Sequence, residues 1–310
     1  MSVSYKVRLA ALLALQKKAN QPKAPATITQ ALIHDPHYIV RAAAALSVGR
    51  LAHLDAIGPL LTCAANDDAP FTRQICIDTL HGFSRAQALP AVLAAFAGDN
   101  ANIRHQVIAY LAHDLPPAAE FVVMRALGDA PKVSTAAINL LLHLPPARAM
   151  DLLHKATSHH HPAVRVGAME ALKTFPSEEA ATLARDVYVR QVEVDEVRMA
   201  CRRALKALRD YLPLADLVAA ATKSDRAARA SALRVLGIVG GARAEATLLE
   251  SLDDRDVYLR GAAVLALRDV GQAAYIPSLE ALTADPANAR IVHLVHHAVK
   301  SLRERTTAAP

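Results

Sequence analysis

The chain has 310 residues, of which 53% are hydrophobic and only 4% aromatic, with no Trp. It carries 35 basic and 29 acidic residues, a formal charge of +6. That apolar content suffices for a continuous core, while no stretch nears eighteen uninterrupted apolar residues, which excludes a membrane-spanning helix. Three scattered cysteines (Cys63, Cys76, Cys201) are too few for a disulfide framework or a zinc knuckle, and are expected to be small buried hydrophobes in a reducing compartment.

Ala and Leu dominate, both are strong helix formers, and few segments alternate as strands do, so the expected class is all-α. The first element is a helix from Ser4 to Ala19, carrying Lys6, Arg8, Leu9, Leu12 and Leu13 and ending at Lys17 and Lys18. It is expected to cap the array (1–20) rather than act as a signal peptide, because its apolar run is short and lacks a small-residue cleavage pattern. Asp35 then precedes Val40-Arg41, and Ala44, Ala45, Val48 and Leu51 follow three, four, seven and ten residues after the Arg. That spacing is one buried stripe on a 3.6-residue helix.

The same unit returns along the chain. Ile57-Gly58-Pro59-Leu60-Leu61 starts a second kind of helix, and Pro suits a first turn, where its missing amide has no intrahelical acceptor. Asp67 and Thr72-Arg73 follow, with Cys76, Ile77, Leu80 and Phe83 in the stripe. Leu89-Pro90, Asp99 and Ile103-Arg104 make the next unit, and Asp129 with Val133-Ser134 a less regular one between Pro116-Pro117 and Pro145-Pro146. His159-His160-His161-Pro162 then precedes Val164-Arg165, with His160 read in the place of the usual Asp. Val197-Arg198, Ala228-Arg229 after Asp225, Gly240-Gly241, Leu259-Arg260 after Asp254, Ile276-Pro277 and the loose Ala289-Arg290 after Asp285 complete the series. From Arg8 the steps are 33, 32, 31, 30, 31, 33, 31, 31 and 30 residues. So steady a period over the whole chain is the signature of stacked helix pairs. The recurrent Asp suits a helix start and can pair with the Arg of its own or a neighbouring unit.

The turn Asp, the Val-Arg pair, the Ala three residues on and the period near 31 resemble the short HEAT-like repeats named after phycobilisome lyases. That resemblance implies a right-handed α-solenoid (superhelix) of about ten HEAT-like helix-pair repeats. It spans residues 1–305 as a single array, with a C-terminal capping helix at 286–305 and a frayed tail at 306–310. It further implies that the Arg-bearing helices line the concave face and the Pro-bearing helices the convex face.

Positions one, five and eight after each Arg point away from the buried stripe and are the expected binding surface. They supply the candidate partner-binding residues Asp78, His81, His105, Asn139, Glu170, Lys173, Arg203, Lys206, Arg234 and Arg268, among small and apolar positions such as Leu142, Val166, Met199 and Leu265. Arg202 joins them, since it occupies a place that is apolar in other units. Arg203, Lys206, Arg234 and Arg268 would form a basic track. Charge is local: residues 1–34 sum to +5, residues 197–234 to +6 and the remainder to −5. Such patches attract acidic or phosphorylated protein surfaces and phosphate backbones alike.

Enzymatic signatures are missing from the sequence. There is no phosphate-cradling glycine loop and no nucleophile elbow. The His-Glu pairs of HEAT-type iron hydroxylases do not occur, and neither do the Trp and clustered aromatics of HEAT-like glycosylases. Adjacent imidazoles at 159–161 do not converge on a tetrahedral metal site, and His293, His296 and His297 share a helix face with no completing ligand nearby. The expectation is a non-catalytic scaffold or adaptor, without metal or cofactor, that is monomeric, cytoplasmic and bound to a protein partner. Two alternatives stay open on the sequence: a nucleic-acid-binding HEAT protein using the basic track, and a bilin lyase-like enzyme.

Overall fold

A computed structural model of the chain describes residues 4–18, 21, 23–190, 194–223 and 225–308. The expected end of the first helix at Ala19, and the last two positions of the tail, lie outside the described residues. Among the described residues there are nineteen α-helices and no strand. Backbone packing divides the chain into two compact units, Met1–Ala168 and Met169–Pro310.

The first unit contains α1 (Tyr5–Lys17), α2 (Ala24–His34), α3 (Tyr38–Arg50), α4 (Ile57–Asn66), α5 (Pro70–His81), α6 (Arg85–Phe96), α7 (Ala101–Leu111), α8 (Glu120–Leu127), α9 (Pro131–His143), α10 (Pro146–Thr157) and the start of α11 (Pro162–Leu172). The second holds the rest of α11, α12 (Glu178–Val189), α13 (Asp195–Ala207), α14 (Leu214–Ala221), α15 (Arg226–Val239), α16 (Ala242–Glu250), α17 (Val257–Val270), α18 (Ile276–Ala281) and α19 (Val292–Ala308). The odd-numbered helices α1 to α17 carry the repeat Arg, except α9, where Ser134 stands in its place; each even helix is the other half of a pair. The architecture is an all-α solenoid of stacked pairs, each of which buries one stripe against its neighbours.

The core follows the sequence stripe. Ala44, Ala45 and Val48 of α3 and Ile57, Leu60 and Leu61 of α4 have no exposed surface. Each large aliphatic side chain so buried is worth about 1.5–3 kcal/mol. Position eight after the Arg departs from the expectation of a solvent-facing residue in two units. A Cβ at Gly49 of α3 would fall 2.5 Å from Thr79 Cγ2 on α5, and one at Gly237 of α15 would fall 2.6 Å from Ala266 Cα on α17. These glycines face the next odd helix and let the two backbones approach closely. Pro90 also departs from expectation: it lies inside α6, because Arg85-Ala86-Gln87-Ala88 extend that helix one turn back from it. Arg290 lies in the turn before α19.

The Asp/Arg pattern builds a ladder between successive units. Arg8 forks onto Asp35 at 2.7 and 3.0 Å, Arg41 onto Asp67 at 2.7 and 2.8 Å, and Arg104 onto Asp129 at 2.6 and 2.8 Å. In the second unit Arg229 pairs with Asp254, and Arg260 donates to Asn288 at 2.7 Å. These five reach forward to the following turn. Three of them, Arg41, Arg104 and Arg260, also reach back to the carbonyl six residues earlier, of Asp35, Gly98 and Asp254, as Arg73 and Arg165 do to Asp67 and His159, at 2.6–2.9 Å. One side chain therefore closes its own turn and clamps the next, with bidentate charge-assisted geometry. The Arg8 guanidinium first, and the His37 amide with it, hold the Asp35 carboxyl below its ordinary pKa. Burial pushes Asp67 and Asp129 up, but Arg41 and Arg104 and the adjacent amides outweigh it and hold both below that range.

The cysteines correct the sequence reading. Cys63 of α4 and Cys76 of α5 face each other across the antiparallel pair, Cα atoms 6.4 Å apart, and form a disulfide. Spacing alone did not show that these two stripes meet, and the inference of a reducing compartment loses its basis. Cys201 is buried in α13. The bridge spans 13 positions, so replacing both cysteines by Ser is expected to lower stability by about 2–3 kcal/mol, the loop-closure figure for a loop of that size. Urea unfolding of the double variant beside the oxidised protein checks this, and coincident curves would refute it.

Candidate functional site

The most regular solvent row runs along the fifth residue after each repeat Arg. In the first unit it holds Leu13, Leu46, Asp78, Ala109 and Asn139, and in the second Glu170, Arg203, Arg234 and Leu265, all exposed or half-buried. The 3.6-residue period produces this row, since the core stripe occupies the opposite side of each odd helix.

The charged candidates of the second unit gather into two clusters. Glu170 is a hub: Arg203 donates to it at 2.8–2.9 Å, and Lys173 pairs with its other oxygen. Asp269 is the second hub. Arg202 Nη1 donates to its Oδ2 at 2.5 Å, and Arg268 to its Oδ1 at 2.9 Å. Arg202 thus occupies an apolar position because it has a carboxylate 67 residues away, on the helix beyond α15. The close approach at Gly237 brings α17 near enough for this bridge. Arg234 bonds within its own helix, to Ala230 O and Ser231 Oγ at 3.3 Å. Among the described residues Lys206 and Arg234 make no ion pair. Of the four residues read as a basic track, Arg203 and Arg268 are paired with carboxylates, and Lys206 and Arg234 are not, among the described residues.

Among the described residues the candidates of the first unit form no shared ion-pair hub, although Asp78 and His81 lie three residues apart on α5. Asp78 accepts from Gln74 at 2.8 Å. His81 stacks on Tyr110 with ring centres 5.5 Å apart and meets His113 edge-on at 4.3 Å. Burial, then the positive character of His113 and Arg85, pushes its pKa down. The Arg85 guanidinium lies 4.7 Å from the Tyr110 ring centre, a cation–π contact. His105 Nδ1 is buried without a partner, and burial lowers that imidazole's pKa. The Asn139 carbonyl is 2.6 Å from His143 Nδ1.

Asp269, Tyr110, His113 and Arg85 escaped the sequence reading. Tyr110 and Asp269 fall outside the three positions taken as solvent-facing, and only packing reveals that they complete the clusters. Among the described residues no group of three His, Cys, Asp or Glu is arranged to hold a metal ion, and no helix is long and apolar enough to cross a membrane.

No curated protein matches the sequence. Solved structures that resemble the chain include the karyopherin Kap121p bound to the SUMO protease Ulp1p. That match has a TM-score of 0.50 and 12% identity and covers 93% of this chain and 37% of that one. Kap121p bound to Ste12p matches at TM-score 0.49 and 13% identity, covering 97% and 40%. Human deoxyhypusine hydroxylase in complex with glycerol matches at TM-score 0.32 and 17% identity, covering 83% and 97%. The chain spans about two fifths of the karyopherin's length, and at such identities the likeness concerns the fold alone. The family model for HEAT repeats matches residues 2–81, 120–206 and 214–300. With the repeat period, the helix pairs and the Asp/Arg ladder in agreement with that match, the chain belongs to the HEAT-repeat family.

Proposed function

We propose that the chain is a non-catalytic adaptor that holds a protein partner along the solvent row of its odd helices, the concave face of the solenoid. The observation that carries this reading is apolar exposure on and beside that row. Leu46, on the row, is 42% exposed, and Leu142 and Met199, on the odd helices beside it, are 47% and 52% exposed, with polar candidates as neighbours along the helices. Apolar anchors set among charged residues are the composition of a protein interface rather than of an ordinary solvated helix. Kap121p, of like fold, is seen with protein partners, in keeping with the reading.

Lys206 and Arg234 supply the steering charge, because no carboxylate neutralises them; they favour an acidic or phosphorylated partner. The test is affinity capture from the native host with the Lys206→Glu/Arg234→Glu double variant beside the parent protein, with and without nuclease. A protein bound by the parent after nuclease treatment, and held at least about tenfold more weakly by the variant, is the expected result. Helicity and melting should be unchanged, since neither residue is in an ion pair. Retention lost on nuclease digestion, with a steep salt dependence, would replace the protein partner by nucleic acid. The resemblance to phycobilisome-lyase repeats adds one control, incubation with a bilin, from which no bound pigment is expected.

A further inference from the structure

One rung of the ladder lacks both of its charges. Where the fourth repeat position calls for Arg, Ser134 stands on α9, and its hydroxyl donates to Leu127 O at 2.9 Å. The following turn, between α10 and α11, has no Asp. His159 fills that role: its Nδ1 accepts the His161 amide at 3.1 Å, as Asp35 Oδ1 accepts the His37 amide and Asp67 Oδ1 the Ala69 amide. Arg165 then donates to the His159 carbonyl at 2.8 Å, the usual reach of six residues. His159, not His160 as the sequence reading had it, replaces the Asp.

A cavity of about 680 Å³ opens beside the His159–His161 turn of this rung, within the first unit; Ser134 itself is not among its walls. Its charged and titratable walls come from three successive turns: Asp99 and Arg104 beside α7, Arg125 and Asp129 around the end of α8, and His159, His160 and His161 before α11. Arg104 and Asp129 are committed to each other at 2.6 Å. Arg125 makes no ion pair among the described residues; it lies 5.9 Å from the Phe96 ring centre, close enough to His159 to help lower that imidazole's pKa. The N-terminal ends of α7, α9 and α11, which carry partial positive charge, begin at these same turns. Two carboxylates line it as well, the exposed Asp99 and the Asp129 that Arg104 pairs. A guanidinium without a carboxylate and three imidazoles suit a doubly charged, multi-acceptor anion better than a cation, and the volume lies within the range of ligand sites.

We propose that the vacant rung is a binding site for a phosphate monoester, with Arg125 as its fixed charge and the imidazoles of His159, His160 and His161 as further donors. The site is separate from the odd-helix row and does not depend on it.

Isothermal titration of the whole chain with O-phosphoserine, a phosphoserine peptide and ethylguanidinium tests the proposal. Both phosphate probes are expected to bind at neutral pH, and Arg125→Gln to weaken them at least about tenfold with melting unchanged. Ser134→Arg restores the missing side chain and is expected to fill the cavity and abolish binding. A peptide at least tenfold tighter than the amino acid would identify a phosphorylated protein as the source, and equal affinities a free phosphate ester; both support the site. Failure of both probes to bind, indifference to Arg125→Gln or to Ser134→Arg, or preference for ethylguanidinium would each overturn it.

Discussion

Asp67→Ala is expected to lower the stability of the first unit by about 3 kcal/mol, the lower end of the range for removing one partner of a buried ion pair. The side chains of Arg41 and Asp67 are 11% and 5% exposed, so truncation strands a guanidinium where water cannot solvate it. Asp68, whose side chain is 85% exposed, keeps a contact with Arg41 and holds the loss to the lower end. The Ala69 amide loses its acceptor as well. Asp67→Asn keeps one acceptor and should lose about half as much. The sign of the pH dependence follows from the carboxyl's lowered pKa. The pair's contribution is fully present above the unfolded carboxylate pKa of about 4 and is lost as pH falls through the lower folded value. Urea unfolding of parent and variant should therefore differ at pH 7 and converge in acid. A difference below about 1 kcal/mol at pH 7, the worth of a surface pair, would show that the ladder does not hold successive units together.

Gly167→Ala is expected to cost about 3 kcal/mol, the upper end for overpacking a core. A Cβ at this position of α11 would fall inside the carbonyl oxygen of Leu127 at the end of α8. The opposing atom is backbone, so no rotamer change relieves the clash and the helices must part. Gly128 makes the reverse approach, its Cβ direction lying 2.6 Å from Val164 N. Gly58 in α4 is the control: a Cβ there meets nothing within 4 Å, and Gly58→Ala should stabilise by a few tenths to 1 kcal/mol through reduced chain entropy. Melting of the two variants beside the parent separates the cases. Equal behaviour of Gly167→Ala and Gly58→Ala would mean that α11 does not need this close contact.

The repeat was legible because its determinants are local: a turn Asp, an Arg four to six residues on and a stripe of period 3.6 recur within windows of about 31 residues. The forward clamp of Arg41 on Asp67 was legible as one of two pairings. Arg202 with Asp269 was not, because that pair depends on how closely α15 and α17 stack, and hence on a glycine far from either residue. Cys63 and Cys76 show the same limit, since both lay on apolar stripes without any sign that those stripes meet sulfur to sulfur. The irregular fourth unit was visible as Ser134 and the His triplet, but assigning the Asp role to His159 needed the carbonyl that Arg165 grips. The basic track shows the last gap: four cations shared one face by spacing, yet only carboxylates supplied by other helices decide which of them remain charged toward a partner.

The most direct test of the central claim is site-specific photocrosslinking in the native host, after nuclease treatment, with a benzophenone residue at Leu46 on the odd-helix row or at Leu142 or Met199 beside it, and at Pro59 or Ser278 on even helices as controls. One protein partner crosslinked from the odd-helix positions and absent from the controls is the expected result. Crosslinks from the even helices alone, or odd-helix adducts consisting of nucleic acid, would contradict an adaptor that binds protein along that row.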